Sequence, residues 1–114
     1  RTQTPLIPRT AGTSLAGQVV GSGLVVDMSK HLNKILELNA EERWVRVQPG
    51  VVRDELNLFL REHGLFFGPE TSTANRAMTA GMLGHIACGS DSVVYGRTRE
   101  PLNSVRALLA DSSE

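Results

Sequence analysis

Two stretches of this chain contain no Asp, Glu, Lys or Arg, and they constrain its fold more than any other feature: residues 10–26 and residues 77–90. Together they hold seven of the eleven glycines. Segments that are uncharged yet rich in Gly, Ser and Thr lack the apolar mass of a core element and the charge of a solvated face. The first stretch is no membrane span. It falls short of the roughly 20 apolar residues that a span needs, and Gly12, Gly17, Gly21, Gly23, Thr13, Ser14 and Gln18 dilute it further. It reads instead as a buried, backbone-rich loop, whose N–H groups can face a ligand.

The segments around these stretches supply the regular elements. Residues 5–8 read as a strand end, followed by a loop over 9–17 in which small and hydroxyl residues dominate. Gly23-Leu24-Val25-Val26-Asp27 is a short β-branched run and predicts a buried strand. Residues 34–38 and 44–48 predict a hairpin joined by the polar residues 39–43, with Val45 and Val47 alternating against Trp44, Arg46 and Gln48. Pro49-Gly50 then ends the strand. Val52, Leu56, Phe59 and Leu60 fall on one face of a helix predicted over 51–63, with Asp54 and Glu55 early, Arg61 and His63 late, and Gly64 as its stop. Residues 65–90 show no sustained period, and 103–110 predict a final strand through Val105, Leu108 and Leu109. Short strands with one good helix mean α+β or α/β, which composition does not separate.

Composition narrows the function. A chain of 114 residues with 12 basic and 12 acidic side chains is one domain or part of one, and it has no cationic surplus for binding nucleic acid. Five aromatic residues allow only a modest core. Cys88, the sole cysteine, has no internal disulfide partner, which favours a reducing, cytoplasmic setting, a peripheral position at a membrane included. The beginning RTQTPLIPRT has no apolar leader segment, and both ends read as cuts through a longer chain.

Gly12 and Gly17 have Walker A spacing, but Gln18 and Val19 stand where that loop needs Lys and a hydroxyl residue for phosphate and magnesium. Gly21-Ser-Gly23 is half a dinucleotide fingerprint, with Val26 in the third glycine position and a strand following. What remains is a Gly/Thr/Ser loop after an apolar strand, a backbone nest for an anion or an ordinary surface turn. The second uncharged stretch, residues 80–89, resembles a wall for a large apolar ligand. Cys88 and His85 lack an acidic orienter, so Cys88 reads as a small buried thiol. His31, His63 and His85 lack ligand spacing, and no metal site is expected. Most charged residues between Asp27 and Arg76 read as solvated faces of the hairpin and helix, with about one in ten functional.

Taken in order, Arg9-Thr-Ala-Gly-Thr-Ser-Leu-Ala-Gly-Gln18, Val25-Val26-Asp27-Met28-Ser29, Val47-Gln48-Pro49-Gly50-Val51, Gly68-Pro69-Glu70-Thr71-Ser72, Ala80-Gly81-Met82, Ala87-Cys88-Gly89-Ser90 and Tyr95-Gly96 resemble the FAD-linked oxidases. That family includes vanillyl-alcohol oxidase and p-cresol methylhydroxylase, and the nearer branch holds D-lactate dehydrogenases, the glycolate oxidase FAD subunit and D-2-hydroxyglutarate dehydrogenases. The resemblance implies an FAD-binding domain of two α+β subdomains, of which residues 1–114 are a part, truncated at both ends, with a substrate domain elsewhere. It implies that Thr10, Ala11, Gly12, Thr13 and Ser14 contact the FAD pyrophosphate. It further implies that Pro69, Ser72, Gly81, Gly84, Cys88 and Gly89 line the flavin and ribityl region, mainly through backbone atoms. Thr13 occupies the position at which covalently flavinylated members carry histidine, so non-covalent FAD is expected. Thr10, Ala80, His85 and Ile86 depart from the family pattern, which has glycine at the first two positions and often asparagine at the others.

The implied activity is oxidation of a small 2-hydroxy acid by hydride transfer to FAD, with electrons passed to an acceptor the sequence does not identify. Reductases and sugar-lactone oxidases on the same fold, and a non-catalytic domain that has lost flavin, are the alternatives. No catalytic acid or base is assigned within these residues.

Overall fold

In a computed structural model, residues 3–90, 94, 96–109, 111 and 113 are described. The expected Tyr95 and the last expected strand residue, Ala110, lie outside them. The elements run β1 (Leu6–Arg9), β2 (Leu24–Asp27), β3 (Ile35–Asn39), β4 (Trp44–Val47), α1 (Arg53–Arg61) and α2 (Thr79–Gly84).

β1 and β2 pair in parallel, Leu6 beside Leu24 through Arg9 beside Asp27. The uncharged stretch forms most of the connection between them; expected to be buried, it lies half-buried to exposed, with Leu15 and Val20 at the surface, because no described element covers it. The loop closes tightly: an added Cβ at Gly23 would sit 2.5 Å from the Pro5 carbonyl oxygen, and one at Gly21 would sit 2.9 Å from Ile7 Cδ1. β2 was expected to be buried, and it is not: Leu24 and Val25 are exposed. Among the described strands only β1 flanks it, and these two apolar side chains are left at the surface.

β3 and β4 form the predicted antiparallel hairpin, with an irregularity between Ile35 and Glu37. Alternation puts Val45 and Val47 on the core side, where Ile35 and Leu38 join them. On the outer face, Arg46 pairs with Glu37 at 3.0 Å and lies over the Trp44 ring.

α1 packs on the hairpin through Leu56 and Leu60, with Phe59 beside them. The third buried residue of this cluster is Val51, at 1% exposure, where the periodicity placed Val52. Val52 stays extended and bridges Met78, so α1 begins at Arg53, two residues later than expected. At the other end, Leu65 N–H donates to the Leu60 carbonyl and Gly64 N–H to the Arg61 carbonyl. These bonds form a Schellman closure, with Gly64 in the left-handed region at φ 68°. His63 lies past the helix end and tilts against Phe59, ring centroids 5.4 Å apart.

Neither helix has a side-chain N-cap. The two entering segments cap each other. Arg53 and Asp54 N–H groups donate to the Ala77 and Ala74 carbonyls, while Thr79 and Ala80 N–H groups donate to those of Val51 and Pro49. The Thr79 hydroxyl donates to the Gln48 carbonyl as well. Crossed strands of backbone therefore satisfy donors that helix starts otherwise leave open, and they lock α2 to the core. α2 was not expected from the sequence. Residues 103–109, expected as a strand, are irregular and mostly exposed, with no described strand alongside to supply backbone partners.

Candidate functional site

The loop after β1 turns at Gly12, which sits at φ 68°. An added Cβ there would lie 2.9 Å from Arg9 Nε, so the Arg9 side chain runs back along the loop. Arg9 brings a positive charge to the expected anion nest, and sequence reasoning passed over it because it precedes the uncharged stretch by one residue. The Ser14 hydroxyl donates to the Gln18 side chain across the loop. Thr10 adopts no left-handed conformation, so its Cβ is no obstacle to the backbone there.

Asp27, opposite Arg9 across the β1–β2 pair, accepts the Ser29 hydroxyl at 2.6 Å and the Ser29 N–H at 2.8 Å. Those two bonds hold its carboxyl below the usual carboxylate range, with smaller help from Arg9 and Lys30.

α2 meets this loop at Gly81, where an added Cβ would lie 2.7 Å from Thr10 Oγ1 and near nothing else. Residues 10 and 81, far apart in sequence, are thus in close approach. The first N–H groups of α2 are consumed by Val51 and Pro49, so the helix start is no open anion site. α2 ends in a second Schellman closure: Ala87 N–H donates to the Met82 carbonyl and Ile86 N–H to that of Leu83. Here the left-handed residue is Ile86, at φ 50°. Asparagine tolerates that conformation and a β-branched side chain resists it, which gives the family's asparagine a physical reason and marks Ile86 as strained.

Beyond the closure, Cys88, Gly89 and Ser90 face Glu70, Thr71 and Ser72 across a cleft of about 320 Å³. An added Cβ at Gly89 would lie 3.0 Å from the Glu70 carbonyl, so glycine sets the approach of these two segments. The cleft gathers three expected site residues, Ser72, Cys88 and Gly89. Cys88 is exposed, contrary to the buried thiol expected of it. The segment after α2 is held by backbone closure rather than by side-chain burial, leaving the thiol at the cleft wall. Pro69, which precedes the opposite wall in sequence, is fully buried, and its carbonyl accepts Arg53 Nε at 3.2 Å. Arg53, its side chain only 17% exposed, is an exception to the expected solvated charges. Gly84 is exposed, with no atom within 4 Å of an added Cβ. A larger cleft of about 520 Å³ lies on α1, lined by residues that include Arg53, Asn57, Leu58 and Phe66. Three of its polar side chains are already engaged: Arg53 binds Asp54 and Pro69, and Asn57 makes two hydrogen bonds to the Phe67 backbone.

Residues 1–113 match the family model described as FAD binding domain. The chain belongs to this FAD-binding domain family. Among its relatives, D-2-hydroxyglutarate dehydrogenase of Pseudomonas putida is 51% identical over 94% of this chain and 11% of its own length. D-lactate dehydrogenase [cytochrome] of Kluyveromyces lactis is 39% identical over 96% of this chain and 19% of its own length. The glycolate oxidase subunit GlcD of Bacillus subtilis is 32% identical over 94% of this chain and 23% of its own length. The chain therefore spans between about a tenth and a quarter of these relatives. An alkyldihydroxyacetonephosphate synthase structure superposes with a TM-score of 0.71 over 81% of this chain and 19% of that one, at 24% identity, which shows the fold.

The residues present fit FAD on their own geometry. The turn at Gly12, the close approach of Gly81 to Thr10, and the cleft between Glu70–Ser72 and Cys88–Ser90 leave backbone accessible beside mostly small side chains. Among the described residues, no cluster of three metal-ligating side chains exists, and no helix is long and apolar enough to cross a membrane.

Proposed function

We propose that this chain is part of the FAD-binding domain of a flavin-dependent oxidoreductase that oxidises a 2-hydroxy acid of the D-2-hydroxyglutarate, D-lactate or glycolate type. The observation that carries the reading is the junction of two distant small-residue segments, at Thr10 with Gly81 and at the Glu70–Ser90 cleft, in a chain 51% identical to a D-2-hydroxyglutarate dehydrogenase. Thr10, Ala11, Gly12, Thr13 and Ser14 hold the pyrophosphate through backbone N–H and hydroxyl donors, with the Arg9 guanidinium offsetting its charge. Gly81, Gly84, Cys88 and Gly89, with Ser72 opposite and Pro69 preceding it in sequence, shape the surface against which the ring system lies. Bound FAD supplies the redox chemistry, accepting a hydride from the carbon that bears the substrate hydroxyl. The protein's part is to fix that ring system and keep water from it. Attachment through this loop is non-covalent, since Thr13 has no ring nitrogen to offer. Substrate-binding groups and the electron acceptor's site lie in other parts of the whole protein, in a reducing compartment that suits the exposed, unpaired Cys88.

The test uses the full-length protein, purified with its flavin and kept anaerobic. Addition of D-2-hydroxyglutarate, D-lactate or glycolate is expected to bleach the visible flavin absorbance with at least one of the three. A flavin that none of them bleaches, while dithionite does, sinks the 2-hydroxy acid assignment.

A further inference from the structure

Thr98 is the one buried polar residue among the described residues, at 5% exposure. Its hydroxyl donates to the Ala87 carbonyl at 2.8 Å, and its own N–H reaches the same oxygen at 3.3 Å. One residue thus spends both donors on one acceptor. The Ala87 N–H is held from the other side by the Met82 carbonyl at 2.8 Å. Ala87, which leads into Cys88, Gly89 and Ser90, is therefore clamped between α2 and Thr98 through both of its backbone polar groups. Those three residues are one wall of the cleft, and Gly89 stands close against the Glu70 backbone on the other wall, where an added Cβ would lie only 3.0 Å from the Glu70 carbonyl. The clamp is placed where the chain most needs one, because the preceding residue, Ile86, is held in a left-handed conformation that its side chain resists. Without the clamp, relaxation of Ile86 would swing the Cys88–Gly89 segment.

We infer that Thr98 is a positioning residue for the flavin: its hydroxyl fixes the Ala87 carbonyl and thereby the distance of the Cys88–Gly89 wall from the ring system. The inference rests on the FAD reading proposed above. Thr98 touches no reacting atom in this account and acts only through Ala87. Its side chain is short and β-branched, so few rotamers are available to it and the hydroxyl is pre-aimed.

The experiment compares Thr98→Val, which keeps the shape and removes the hydroxyl, with Thr98→Ser, which keeps the hydroxyl, in the full-length protein. Readouts are the FAD dissociation constant of the apoprotein and the visible circular dichroism of the bound flavin. Loss of one neutral hydrogen bond predicts an FAD affinity lowered about two- to tenfold in the Val variant, from the usual net worth of such a bond. An altered flavin dichroism is expected with it, and both readouts return to within about twofold of the parent in the Ser variant. A purely structural role would lower melting temperature and leave the dichroism of the bound flavin unchanged, which overturns the inference. Equal defects in the Val and Ser variants also overturn it, because the hydroxyl would not be the cause. Should the Val variant fail to fold, Thr98→Ala against Thr98→Ser makes the same comparison. A parent protein that binds no FAD defeats the functional reading itself, whereas a flavin-bound parent with an unaffected Val variant defeats only the role of Thr98.

Discussion

Replacing Gly84 by alanine separates what α2 needs as a helix from what it does as a flavin wall. Gly84 is the last residue of α2, it is exposed, and an added Cβ would meet nothing within 4 Å. No packing is gained or lost in the free protein, so only backbone entropy and helix propensity remain, worth about 0.5–1 kcal/mol in favour of alanine. That energy corresponds to roughly a two- to fivefold smaller population of opened helix. It is read as slower amide exchange at Met82, His85, Ile86 and Ala87, whose N–H groups bond to carbonyls within the helix or its N-cap residue. In the full-length apoprotein, deuterium uptake over residues 82–87 is expected to slow by that factor. In the holoprotein the same methyl occupies space assigned to the flavin, and overpacking of about 1 kcal/mol or more weakens FAD binding at least about fivefold. The two effects have opposite signs. Unchanged or faster exchange in the apoprotein refutes the helical, unobstructed setting of Gly84, and an unchanged FAD affinity refutes its place at the cofactor.

Gly81→Ala drives a methyl against the Thr10 hydroxyl, so FAD affinity falls about tenfold, and Thr10→Gly in the same chain restores most of it; additive effects in the binding titration contradict the contact. Leu56→Ala, at a core position 2% exposed, costs about 2–5 kcal/mol, whereas Leu58→Ala, 65% exposed, stays within about 0.5 kcal/mol. Limited proteolysis of the full-length variants ranks the two, and similar cleavage rates would mean that the core is misplaced. Asp27 has a lowered pKa in the folded chain, so the stability it adds is complete above the ordinary carboxylate range and disappears as pH falls through its folded value. A carbon-detected NMR titration is expected to place its midpoint below that of an unfolded aspartate, and Ser29→Ala to raise it; a midpoint at the unfolded value removes the turn from the account.

The hairpin and α1 were legible because each obeys a single period. Val45 and Val47 alternate as a half-buried strand does, and Leu56 and Leu60 repeat as a buried helix face does. Periodicity failed at Val51 and Val52, where pairing with Met78 kept Val52 extended and turned Val51 into the core, a contact between residues 26 apart in sequence. α2 was hidden by Gly81 and Gly84, which lower helix propensity; it forms because Val51 and Pro49 supply carbonyls to its first turn. β2 has the composition of a buried strand, yet its apolar side chains remain exposed among the described residues. The uncharged stretches pointed to both halves of the candidate site, the resemblance supplied the cofactor, and the departure at Ile86 marked a position that the local closure of α2 puts in the left-handed region. Two features had no sequence signal: Gly81 against Thr10 and the clamp at Thr98 exist only once distant segments meet.

The central claim is that this chain helps to hold FAD without a covalent bond. Its most direct test is the visible absorption spectrum of the natively purified full-length protein, followed by acid precipitation and a spectrum of the supernatant. The account predicts flavin bands in the protein and a chromophore released quantitatively into the supernatant. A colourless protein that also takes up no added FAD contradicts the cofactor assignment, and colour that stays with the precipitate contradicts non-covalent attachment.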